Sequence, residues 1–351
     1  SPDSGLPFEL EYAPIFSFPA HLSSLRSVAA SVLPSAATGS ERKVGGKYLV
    51  SGGMDEVVKV WDLKRRKEVG TLDGDAAGPL FLCVHALSAE LTSRPHCCTG
   101  TITCLRFVAQ RNMLMVATTD SAITLYRVRD WVMLRSLKGH KGRVNSIDAH
   151  PAGRVALSVG QDKMLRMWDL VAGKAVATMK IGEGALPSAR CGSMNEGADL
   201  PFDPSKCFLE GDVVRWNTDG TKFAIITGMT LVVYSVVSRH SQGSGHLFHQ
   251  LNQIVSPQDM TVLRSLTARS RFHDVRFCYF PLDAADPTQR EYLFVACDDG
   301  KTRIFDLSTP TPEVEVAEGE AGPSMDAIAM LTGHSNRYAF KVLETVSRAQ
   351  H

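Results

Sequence analysis

The eight cysteines, at 83, 97, 98, 104, 191, 207, 278 and 297, include no CxxC pair. Zinc ribbons and dense disulfide frameworks rely on closely spaced thiols, so neither is expected, and reduced thiols in an intracellular protein fit the pattern. No N-x-S/T glycosylation acceptor is present. The opening residues, SPDSGLPFELEYAPIF, have neither a basic n-region nor an apolar h-region, so no secretory signal is expected there. Long hydrophobic runs are also missing. The longest, Phe223 to Val237, is broken by Thr227, Gly228 and Thr230 and falls short of the roughly 20 residues that a membrane-spanning helix needs. An excess of one charge is lacking too: 38 Lys+Arg against 37 Asp+Glu leaves a net charge of +1. A polycation that wraps nucleic acid along its whole length is excluded, and any contact with RNA must come from a local basic face.

The common catalytic frameworks are absent as well. No GxSxG, GxxxxGK[ST], HExxH or GxGxxG occurs, so the usual nucleophile elbow, phosphate cradle, zincin helix and dinucleotide turn have no sequence support. His246 and His249 flank a Leu-Phe pair in a Gly/Ser-rich stretch with no third ligand nearby, which reads as a surface pair. His96-Cys97-Cys98 is too compact for tetrahedral zinc, whose ligands are usually separated by two or more residues. No enzymatic activity, cofactor, metal or small-molecule substrate is therefore expected.

What the sequence does contain is a repeat. KYLVSGGMDEVVKVWDL (47–63) and RVALSVGQDKMLRMWDL (154–170) superpose without a gap, placing Ser51, Asp55, Trp61 and Asp62 on Ser158, Asp162, Trp168 and Asp169. Gly139-His140 precedes the second copy and Ala20-His21 the first. Both copies alternate aliphatic or β-branched residues with polar ones around a tight turn, the signature of a β-hairpin. Three weaker copies keep the frame. Thr101 to Val128 has Asp120 at the turn, but Val116 for the Ser, Tyr126 for the Trp and Cys98 for the His. Val213 to Val236 has Gly228 at the turn and Tyr234 at the Trp position, and Phe272 to Leu307 keeps Asp299 and Asp306 with Phe305 for Trp.

This repeat resembles the WD40 repeat, which implies an all-β propeller, seven-bladed in the family, with about five readable blades here. In that family His, Ser/Thr, Asp and Trp join in a buried hydrogen-bonded chain, because each polar group left unpartnered in a blade costs about 1–3 kcal/mol. The third repeat carries the full set as His140, Ser158, Asp162 and Trp168; the first supplies Ser51, Asp55 and Trp61. A single propeller domain over 1–351 is expected, with readable repeats at about 21–72, 98–137, 138–181, 211–240 and 262–307. Insertions fill 73–97 and 182–210, and a Pro/Glu-rich linker spans 308–323. A partial repeat occupies 325–351: Gly333-His334 opens it, but 17 residues remain, whereas the third repeat uses 28 from His to Trp. Either the C-terminus is truncated, or an irregular blade combines Phe8 to Phe18 with the tail; the pattern leaves both open.

The stretch HPAGRVALSVGQDKMLRMWDLVAGK, with TGTITCLRF, YLVSGGMDEVVKVWDL and VACDDGKTRIFD, is similar to the PAK-interacting, or maintenance-of-killer, WD40 family. The similarity spans roughly residues 45 to 70 and 98 to 335. It implies a nucleolar or nuclear factor in assembly of the large ribosomal subunit, with pre-60S assembly factors, ribosomal proteins and pre-rRNA as partners. A second implied role is negative regulation of a p21-activated kinase. A ubiquitin-ligase substrate adaptor is a further possibility by fold analogy alone. The family's Lys-rich C-terminal extension is not within these residues, and the two insertions have no counterpart in it.

Candidate partner-binding residues follow from the frame. Lys138, Lys141, Arg143 and Lys163 border two loops at one end of the third repeat, where cations suit phosphates or an acidic segment. Lys64-Arg65-Arg66-Lys67 reads as a basic turn after the first Trp-Asp. Asp299 is the turn acid, which leaves its neighbour Asp298 free to face a partner.

Overall fold

The computed structural model describes residues 20–31, 46–72, 100–181, 210–236, 260–267, 271–280, 290–307 and 329–331. They form five four-stranded antiparallel sheets. The first holds β1 (Leu25–Ala30), β2 (Tyr48–Gly53), β3 (Val58–Asp62) and β4 (Lys67–Leu72). The second holds β5 (Ile102–Val108), β6 (Met113–Thr118), β7 (Ala122–Arg127) and β8 (Val132–Lys138), and the third β9 (Val144–Ala149), β10 (Val155–Gly160), β11 (Met164–Asp169) and β12 (Lys174–Lys180). β13 (Val213–Trp216), β14 (Lys222–Thr227), β15 (Thr230–Val236) and β16 (Met260–Thr267) make the fourth. β17 (Phe272–Phe280), β18 (Arg290–Cys297), β19 (Thr302–Asp306) and β20 (Ala329–Leu331) make the fifth. Each sheet runs in chain order from first strand to fourth, the meander of a propeller blade. Among the described residues no helix is long and apolar enough to cross a membrane.

The core lies between blades. Ala29, Val50 and Val60 of the first blade pack on Leu105, Leu114 and Tyr126 of the second. Met115, Ile123 and Leu125 of the second pack on Ile147, Ala156 and Trp168 of the third. Leu157, Leu165 and Met167 continue to Phe223 and Tyr234, and Ile226 and Val233 to Phe277, Leu293 and Phe305. Sandwiching buries middle strands on both faces, so all of β6 and nearly all of β10 and β14 are inaccessible. The fourth strands of the first three blades are different: β4, β8 and β12 expose alternate or terminal residues, and Lys67, Glu68, Arg135, Lys174 and Lys180 charge these outer edges. Such charges discourage pairing with another chain. The extensive contacts join blades in chain order, and among the described residues none of comparable extent joins the fifth to the first.

The fifth blade takes its outer strand from far along the chain. Within the range 325–351 read as a partial sixth repeat, Ala329–Leu331 is the fourth strand of the fifth blade, pairing Thr302 with Leu331. Leu331 stands three residues before His334, as Leu137 of β8 stands three before His140. The outer strand is therefore supplied from beyond the 308–323 linker. Phe8 to Phe18, the two insertions up to residue 209, and Gly333-His334 with the tail lie outside the described residues.

Candidate functional site: the loop edge of the third blade

The local design begins with the tetrad. Trp168 Nε1 donates to Ser158 Oγ at 2.8 Å, the Ser158 hydroxyl donates to His140 Nε2 at 2.6 Å, and His140 Nδ1 donates to the Asp162 carboxylate at 2.9 Å. The order of donors fixes His140 as the neutral Nδ1–H tautomer. Burial pushes the imidazole below its ordinary value, outweighing the opposing pull of Asp162. Burial also opposes ionisation of Asp162, but the His140 hydrogen bond and the amides of Lys141 and Met164 prevail and hold its carboxyl below the usual range. A catalytic base needs an accessible, unengaged nitrogen; both nitrogens of His140 are committed.

The first blade has the same chain, complete. Trp61 Nε1 donates to Ser51 Oγ at 2.9 Å, Ser51 to His21 Nε2 at 2.8 Å, and His21 Nδ1 to Asp55 at 2.8 Å. The third repeat is thus not alone in carrying the full set. His21 is four residues before Leu25 as His140 is four before Val144, a spacing that was available as a signal although Ala20 replaces the usual glycine. Asp62 and Asp169 close the next turns: the first accepts from the amides of Lys64 and Arg65, the second from those of Val171 and Ala172. The amide of Arg65, ahead of that of Lys64, keeps the Asp62 carboxyl low.

The turn between second and third strands positions the cations. Glu56, Ser121, Lys163 and Gly300 each follow the turn acid and each has positive φ, +59° for Lys163. Gly160, at the end of β10, has no room for a side chain, since a Cβ would lie 2.4 Å from the Arg143 carbonyl oxygen. That carbonyl accepts the Gln161 amide at 2.8 Å, and Asp162 accepts the Lys141 amide at 3.1 Å. The Lys141–Arg143 loop and the Gly160–Lys163 turn therefore meet at one edge, as the repeat frame implies. Lys138 ends β8 two residues before His140, so it approaches from the neighbouring blade. Lys138, Lys141 and Lys163 are exposed.

Two candidates are engaged. Arg143 is ion-paired with Glu210 at 2.8 Å and also donates to Asn145, whose amide nitrogen in turn donates to Glu210 and to the Gly211 carbonyl. Arg143 thus ties the third blade to the chain entering the fourth, a partner 67 residues away that spacing could not reveal. Asp298 is not free: its carboxylate pairs with His273 Nε2 at 2.9 Å. Asp299 accepts the Lys301 amide and pairs with Arg303. Lys64, Arg65 and Arg66 lie in the turn from β3 to β4, as expected, whereas Lys67 is the first residue of β4. His246, His249, His96, Cys97 and Cys98 lie outside the described residues.

The degenerate blades replace the tetrad in two ways. Tyr126, Tyr234 and Phe305 fill the Trp position as buried aromatics, Tyr234 stacking on Phe223 with ring centroids 5.0 Å apart. A polar network joins the fourth and fifth blades: Asn217 donates to Glu291 at 3.0 Å, Lys222 pairs with the same carboxylate, and the Tyr279 hydroxyl lies 2.7 Å from Asp219 and 2.8 Å from Glu291. No repeat position announces it.

The tetrads, the turn aspartates and the blade meander agree with a match to the family model "WD domain, G-beta repeat" at residues 12–62 and 131–169. The chain carries WD40 repeats. This WD40 chain is 28% identical over 223 residues to "p21-activated protein kinase-interacting protein 1-like" of Gallus gallus, covering 64% of this chain and 43% of the relative. It is 25% identical over 331 residues to "Protein MAK11" of Saccharomyces cerevisiae, covering 93% of this chain and 63% of that one. It is also 29% identical over 163 residues to "Shk1 kinase-binding protein 15" of Schizosaccharomyces pombe, 46% of this chain and 37% of the relative. The WD40 chain thus spans less than two thirds of the length of these relatives.

Proposed function

We propose that this chain is a non-catalytic WD40 scaffold that acts in assembly of the large (60S) ribosomal subunit, docking on pre-ribosomal particles in the nucleolus. The supporting observation is the similarity to Protein MAK11 along 93% of the chain, together with the resemblance of residues 129–175 to the PAK-interacting, or maintenance-of-killer, family. The docking surface is the loop edge of the third blade, where Lys141 and Lys163 are exposed on backbone held by the tetrad, with Lys138 beside them. Cations on a preorganised loop edge suit rRNA phosphates or an acidic protein segment, and a rigid scaffold keeps the ordering cost of docking small. Arg143 contributes by holding Glu210 rather than as a free cation.

A second role, binding a p21-activated kinase, is favoured by the names of two relatives, one kinase-interacting and one kinase-binding. Sedimentation of extract separates the two. Co-migration with particles near 60S that is lost on RNase treatment or in high salt is the expected result for the assembly role; a light, kinase-containing complex in its place contradicts it.

A further inference from the structure

The first strands of the five blades surround a cavity of about 550 Å³. Its lining holds six arginines, at 26, 106, 143, 215, 271 and 276, against two carboxylates, Asp212 and Asp274. The pairing registers explain the inner group. Arg106 pairs with Met115, Asp148 with Leu157, Arg215 with Ala224 and Arg276 with Phe294, which are equivalent positions of four successive blades. The repeat thus sets three arginines and one aspartate around the axis.

The compensation of Arg215 and Arg276 is incomplete. Arg106 Nε lies 3.5 Å from Asp148, Arg215 pairs with Asp274 at 3.1 Å, and Arg276 Nε reaches the same Asp274 only at 3.9 Å. Arg215 also donates to Ser146 and to the Val214 carbonyl. Arg276 has no hydrogen bond to any described residue, and the Nε groups of Arg215 and Arg276 are buried without an acceptor. Two guanidiniums, Arg215 and Arg276, therefore share one carboxylate. Burial, with the charges of Arg215 and Arg106, pulls Arg276 down to about 10. Nearer the mouth, Arg143 and Arg271 are paired with Glu210 and Asp212, whereas Arg26 touches Met54 Sδ and faces no carboxylate among the described residues.

We propose that this axial cavity binds a small soluble anion bearing two or more phosphoryl groups, one held by Arg276 with Arg215 and Arg106, another reaching Arg26 at the mouth. Guanidinium forks match phosphate oxygens, and the buried N–H groups without acceptors supply donors that a phosphate satisfies. The volume is that of a small-molecule site. A peptide would need acceptors for its own amides, yet Asp148 already accepts from Trp216 N and pairs with Arg106, and Asp274 accepts from Val275 N and pairs with Arg215.

Calorimetric titration of the full chain with inorganic pyrophosphate and with inositol hexakisphosphate tests the site. One saturable site is expected, weakening as salt is raised, and losing at least tenfold in affinity in Arg276→Gln and in Arg26→Gln while Arg65→Gln leaves it unchanged. Arg26 is exposed, so its variant carries the test should Arg276→Gln misfold. Failure of both anions to bind, with or without an Asp/Glu-rich peptide or an RNA oligonucleotide binding instead, overturns the proposal, as does an equal loss in Arg65→Gln.

Discussion

At the residue scale, the tetrads are where sequence, burial and stability meet most directly. Trp168 is 1% exposed and wedged between the second and third blades. Trp168→Ala is expected to cost about 3–5 kcal/mol through the cavity it leaves, with the Ser158 hydroxyl losing a donor besides. Chemical denaturation checks this, and an unchanged midpoint would remove the tetrad's structural role. His150 gives a pH test. Its Nε2 donates to the Gly220 carbonyl at 3.1 Å and its Nδ1 accepts the Ala152 amide at 3.0 Å, so a second ring proton would point at another N–H. Burial lowers the value for His150, as it does for His140. A histidine depressed in the folded state contributes its full stability above the unfolded value of about 6.5 and loses it as pH falls from there toward the folded value. The unfolding midpoint should drop between pH 7.5 and pH 5.5, and the drop should shrink in His150→Asn. An equal drop in that variant would contradict the assignment.

The cation at 163 is separable from the fold at the same scale. Its backbone sits at φ +59°, where a side chain is strained and glycine is not. Lys163→Gly should therefore leave stability unchanged or raise it, within about 1 kcal/mol, while removing the charge. Thermal unfolding reads this directly, and a destabilised variant would show that the side chain holds the turn.

Elements show how far a one-dimensional pattern reaches. All five readable repeats are blades because alternation and turn chemistry are local, and the tetrad of the third was legible from four residues at fixed spacing. The first tetrad was legible in three of its four members: His21 lacks the preceding glycine, and 17 residues separate β1 from β2. Contacts between residues far apart in the chain left no local trace. Arg143 with Glu210 and Asp298 with His273 pair only once neighbouring strands are in place, so residues that read as free cation and free acid are engaged. The network between the fourth and fifth blades belongs to the same class. Glu291 is 5% exposed and holds both Asn217 and Lys222. Glu291→Ala leaves the Lys222 ammonium and the Asn217 amide without it and should cost about 3 kcal/mol. Double-mutant cycles with Asn217→Ala should give clear coupling; strict additivity would mean the network is not energetically joined.

For the whole molecule, the blades carry the loop edges, and the exposed lysines at the edge of the third are the surface through which docking is proposed. Reversing Lys138, Lys141 and Lys163 to Glu while leaving Arg143 and its Glu210 partner intact removes the charge without touching tetrad or core. Charge reversal repels phosphate as well as deleting contacts. The decisive measurement is co-sedimentation of this folded triple variant with particles near 60S. Loss of the variant from those fractions, with an unchanged unfolding midpoint, is the result expected; a folded variant that co-sediments at the level of the unsubstituted protein would contradict docking through the third blade.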